Sequence, residues 1–94
     1  MNTMPQKIET PMGTLTSVQV IWDRDHGTAN EGWHLRTRYA DGSEEDERVD
    51  ALDNLPRYTD DARLGQIAVE YLMPPDGLSS HDLTVLQRMI EVRR

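Results

Sequence analysis

The segment WDRDHGTANEGWH, residues 22–34, gathers Asp23, Asp25, His26, Glu31 and His34 around one polar stretch. An Asp-x-Asp pair with two imidazoles offers oxygen and nitrogen donors of the kind a divalent metal takes. The spacing matches no compact ligand motif, however, and Asp, Asn and Gly are turn formers, so a solvated loop is favoured over a metal site. Asp23, Asp25, His26 and His34 are the candidate ligands if a metal does bind; no cofactor is expected. SSHD, residues 79–82, holds hydrolytic residue types. Neighbours entering one helix cannot adopt a nucleophile–base–orienter relay, so the segment reads as a helix cap. With no cysteine in the chain, a thiolate zinc site, a disulfide framework and a cysteine nucleophile are all excluded. No phosphate-cradling glycine loop occurs, and the chain is expected not to be an enzyme.

Charge is more informative. Nine acidic residues lie between Asp41 and Asp61 against only Arg48 and Arg57, a surplus of seven negative charges that equals the formal net charge of the whole chain, −7. The remaining eight acids and eight bases balance. An electrostatic partner therefore meets one acidic region on an otherwise neutral body, and direct binding to nucleic-acid phosphates is disfavoured. Within that region Glu44, Glu45, Asp46, Glu47, Asp50 and Asp53 are the candidate partner-binding residues. Two purposes fit such a run: an edge strand charged against sheet-to-sheet aggregation, or a ridge that docks on a basic surface.

The elements that must carry these residues follow from periodicity. ETPMGT, residues 9–14, places Pro11 and Gly13 in a three-residue loop pairing Thr10 with Thr14, which sets Ile8 on the face of Val18, Val20 and Trp22 and turns Leu15 and Ile21 the other way. WHLRTRY, residues 33–39, alternates Trp33, Leu35, Thr37 and Tyr39 with His34, Arg36 and Arg38. Its hairpin partner contains EEDE, and side-chain parity selects the register. A loop of Ala40, Asp41 and left-handed Gly42 pairs Arg36 with Asp46, Arg38 with Glu44 and Trp33 with Val49, whereas a two-residue turn would charge the apolar face. Glu45 and Glu47 then sit on the inner face and require the hairpin tip to reach water.

Residues 51–58 read as a connector in which Leu52, Leu55 and Tyr58 tuck under a neighbour. A helix follows, capped by Thr59, with Leu64, Ile67, Ala68, Tyr71 and Leu72 on one stripe and Pro74-Pro75 at its end. The last helix is expected to start at Ser79 and to continue through Arg94. Leu83, Leu86 and Ile90 form one apolar stripe on it, and Val85, Met89 and Val92 an adjoining one that either packs on the other helix within the monomer or stays available for dimerisation or docking.

The expected architecture is α+β: a four-stranded antiparallel β-meander packed on one face by two C-terminal α-helices, with residues 1–5 a flexible tail and 6–94 one domain. A meander with the hairpin RYADGS followed by a helix is similar in outline, over residues 32–72, to the arm-type DNA-binding domains of tyrosine recombinases. Those domains are basic after the turn, where this chain has EEDE, so the resemblance implies no phosphate binding here. Neither a signal-like N-terminus nor a bilayer-length apolar run occurs, which fits a cytoplasmic protein with no membrane contact. The expected function is a small acidic protein-binding domain, an inhibitor or antitoxin-like factor engaging a basic partner. The alternatives are a structural or regulatory subunit that forms a homodimer or docks through the last helix, and a metal-dependent enzyme built on the Asp23–His34 loop.

Overall fold

The computed structural model describes residues 7–23 and 32–94. In chain order these form β1 (Ile8–Thr10), β2 (Gly13–Asp23), β3 (Gly32–Tyr39), β4 (Glu44–Glu47), a helical turn α1 (Asp50–Asp53), helices α2 (Asp61–Leu72) and α3 (Ser80–Met89), and β5 (Ile90–Arg93). The antiparallel meander runs β1-β2-β3-β4 as expected, and a fifth strand joins it, β5, parallel to β2. The tail expected at residues 1–5 lies outside the described residues, and among the described residues no helix is long and apolar enough to cross a membrane.

One apolar core lies between the sheet and the helices. Val18, Val20, Trp33, Leu35, Leu52, Leu64, Ala68 and Leu86 are all buried in it. Trp33 does the most to fill it in a chain without Phe: its ring meets Trp22 edge-on at 5.3 Å and its indole N–H donates to the Pro56 carbonyl at 3.1 Å. A buried indole needs such a partner for its one polar atom.

Two features at the start of the sheet differ from the simple alternation. The first hairpin closes on Pro11 and Met12 alone, with Thr10 opposite Gly13, so Ile8 faces Leu15. Gly13 takes φ +129°, a conformation that side chains disfavour, and the Thr10 hydroxyl fastens the turn by donating to the Gly13 carbonyl at 2.8 Å. A bulge then follows. Leu15 opposes Tyr39 while Ser17 opposes Arg38, leaving Thr16 as an extra residue. The insertion resets side-chain parity, which is how Leu15 comes to be buried on the same face as Val18 and Val20 rather than opposite to them.

Further along, α2 begins one residue later than expected. Asp60 holds the N-cap position, and Thr59 is buried with its hydroxyl donating to the Pro56 carbonyl at 2.7 Å. The connector contains α1, whose Leu52 is buried, but Tyr58 points outward at 87% exposure. At α3 the Ser79 cap forms as expected: the Asp82 N–H donates to its hydroxyl at 3.1 Å. The helix does not continue to Arg94. It stops at Met89, and residues 90–93 extend along β2 with Ile90 beside Val18 and Val92 beside Val20. The vacant half of the β2 edge satisfies the backbone of this segment in a way that a further helical turn over solvent would not.

Candidate partner-binding edge

Among the described residues strand β4 pairs only with β3, in the register Leu35–Glu47, Arg36–Asp46, Thr37–Glu45 and Arg38–Glu44. The hairpin that sets it closes on Ala40, Asp41 and Gly42, with Gly42 at φ +91° and the Tyr39 N–H donating to the Ser43 carbonyl at 3.0 Å. Asp41 tightens the turn by accepting from the Ser43 hydroxyl at 2.6 Å and the Ser43 N–H at 2.9 Å, and these bonds hold its carboxyl below the usual range. The ladder ends at Glu47; Val49, expected opposite Trp33, is buried just ahead of α1 instead.

Alternation sorts the carboxylates of β4 into two rows. The outer row, Glu44 and Asp46, is neutralised by the neighbouring strand. Arg38 Nε lies 2.6 Å from Glu44, Arg36 Nη2 lies 2.8 Å from Asp46, and His34 Nδ1 lies 3.2 Å from Asp46. Asp53, beyond the strand, pairs with Arg48 at 3.4 Å. The inner row differs. Glu45 and Glu47 are half-buried, and Glu47 accepts a hydrogen bond from the Tyr71 hydroxyl at the end of α2. That bond lifts the Tyr71 phenol above the ordinary tyrosine range, and partial burial and the negative charges of Glu47, Glu45 and Asp50 add to the effect. Glu47 therefore holds the phenol directly, and Glu45 and Asp50 act on it only through their charge.

Glu45, Glu47 and Tyr71 form one wall of a groove of about 290 Å³ on the helix-covered face of the sheet, floored by Leu15, Leu35 and Tyr39 and closed by Leu72 and Pro74. Among the described residues its lining contains two carboxylates and no Lys, Arg or His. Of the three large hydrophobic side chains that are exposed among the described residues, Met12 and Tyr71 border this groove. Nothing in the sequence pattern signalled it, because it forms where the β1–β2 turn meets the end of α2.

The other candidate residues are placed less coherently. Asp23 and His34 approach across β2 and β3, His34 Nε2 to the carboxylate at 3.6 Å, while Asp25, His26 and Glu31 lie outside the described residues. Among the described residues no three His, Asp or Glu side chains converge as a metal site would need. Val85, Met89 and Val92 do not form one helical stripe, since Val92 belongs to β5; all three are half-buried and pack against the core. Val92 does line a second, wider groove between α2 and α3, about 730 Å³, with Leu83, Ile90, Val69 and Met73.

The fold and this edge define the chain as a small α+β protein with an acidic-walled apolar groove. No protein family, curated protein or solved structure matches it.

Proposed function

We propose that the protein is a small, non-enzymatic binding domain that engages a basic protein partner through β4 and the groove beside it, acting as an inhibitor or antitoxin-like factor. The observation that carries this is the division of the carboxylates. Glu44 and Asp46 are already matched by Arg38 and Arg36, whereas Glu45 and Glu47 border an apolar groove with no cation in its lining among the described residues. A Lys or Arg side chain suits both halves of that surface, because its methylene stem covers apolar atoms while its head stays at the charged rim. The concentration of the chain's entire net charge between residues 41 and 61 would draw such a partner in from a distance.

The test is retention of the chain on an immobilised poly-lysine surface as a function of salt. Wild type is expected to bind at low ionic strength and to elute as salt rises. Glu45→Lys with Glu47→Lys should abolish retention, whereas Glu9→Lys with Asp76→Lys, an equal charge change at exposed positions elsewhere, should only weaken it. Equal losses in the two double variants would refute a localised acidic site.

A further inference from the structure

The geometry points to a specific form of partner: an extended segment that adds to the free edge of β4 with basic side chains at alternate positions, Lys/Arg-x-Lys/Arg, and an uncharged residue between them. This rests on the basic-partner proposal above and adds to it the backbone pairing and the spacing.

Hydrogen bonding alternates along an antiparallel ladder, and the Tyr39 N–H bonds the Ser43 carbonyl at 3.0 Å. Counting from that pair, Glu45 and Glu47 turn their backbone groups toward Thr37 and Leu35, while Glu44 and Asp46 turn theirs away from β3. Among the described residues no strand pairs with that side. An open edge of this kind is the template for strand addition, in which main-chain bonds hold the segment and alternate side chains select it.

The alternation then fixes the chemistry. Residues of an added strand opposite Glu45 and Glu47 fall on the groove side, two positions apart, where two carboxylates and an apolar floor await cations with aliphatic stems. The intervening residue lies opposite Asp46 on the outer face. Asp46 is already held by Arg36 and His34, and Arg38 holds Glu44, so a third cation there would meet like charges. A contiguous basic run therefore fits less well than a spaced pair. Two exposed large hydrophobic side chains, Met12 at 70% and Tyr71 at 48%, border the same groove.

The test uses the full chain and two fluorescent nine-residue peptides of identical composition, one alternating Lys with Thr and one with its lysines in a single block. The alternating peptide should bind more tightly, and on binding the Glu44 and Asp46 amides should become protected from hydrogen exchange. Glu45→Gln with Glu47→Gln should weaken it roughly two- to thirtyfold, the span expected from losing two cross-strand charge pairs. Circular dichroism of the double variant verifies that it remains folded, and the amide protection in wild type needs no variant at all. Equal affinity for the two peptides, or Glu44 and Asp46 amides that exchange as fast bound as free, would overturn strand addition while leaving the acidic-edge proposal standing. Failure of both peptides to bind even at low salt would overturn both proposals.

Discussion

The two margins of this sheet are finished in opposite ways. Along the outer side of β2 the chain supplies its own cover, with β1 beside residues 13–15 and β5 beside residues 18–21, the bulge at Thr16 falling between them. Along β4 nothing comparable is added among the described residues, and the strand carries a carboxylate at every position. The covered margin presents Ile90 and Val92 to the core, whereas the open one presents Glu45 and Glu47 to a groove. Ile90 and Val92 turn inward on the strand that covers β2, while the open strand β4 carries carboxylates on both of its faces. An uncharged open strand would invite any other chain's edge; a charged one admits only a segment of matching sign.

Breaking the covered margin should therefore have the largest effect on stability. Val92→Asp places a carboxylate beside Val20, which is fully buried, and should cost about 3 kcal/mol, in the range for an unpaired charge near a core. Urea unfolding reads this as a lower midpoint. The matching change at the open margin, Glu47→Gln, should move the midpoint far less. A smaller loss is expected from Arg94, which fastens the end of β5 to the body of the protein. Its guanidinium lies 5.5 Å from the Trp33 ring centroid, donates to the Thr59 carbonyl at 2.8 Å, and pairs with Asp61. Arg94→Ala should cost about 1–2 kcal/mol, from one aromatic contact and a few charge-assisted bonds at a partly exposed site. Amide exchange in β5 should rise more than in β3, since β5 is the segment the latch holds.

The two margins were not equally legible. The register of β3 on β4 follows from parity alone, because a shift of one residue would set Arg48 and Asp50 against Leu35 and Trp33. The same alternation divides the carboxylates into rows. By contrast, IEVR continues the apolar spacing of the preceding helix and also alternates as a strand. A four-residue segment with both periods is decided by what it meets, here the unpaired half of β2, and no local preference reveals that. The bulge at Thr16 is equally silent, since an extra residue in a strand has no composition of its own. The groove was hidden for a related reason. Tyr71 reads as one more member of an apolar helix stripe, and only the packing of α2 across the sheet brings its hydroxyl to Glu47.

That contact supplies the smallest and sharpest test. Because the Glu47 carboxylate accepts from the Tyr71 hydroxyl, and because Glu45 and Asp50 add negative charge nearby, the protonated phenol is favoured in the folded state and its pKa is raised. The linked stability is fully present below the pKa of an unfolded tyrosine, about 10, and is lost as pH rises through the higher folded value. Ultraviolet titration of phenolate formation should show one of the chain's three tyrosines ionising later than the others. Tyr71→Phe should remove that late step, and Glu47→Gln should return it toward ordinary tyrosine behaviour without deleting it. Both substitutions should be nearly neutral at pH 7, because the bond is solvent-accessible and a hydroxyl so placed finds water in its stead. An Arg–Thr version of the alternating peptide, whose guanidinium groups stay charged through the tyrosine range, would draw the late ionisation downward when seated over Glu45 and Glu47, since a cation beside the phenol offsets the carboxylates that raise it. If the late step stays put when that peptide is bound, the peptide's cations do not lie on the inner row, and the contrast between a self-neutralised outer row and a receptive inner one loses its functional meaning.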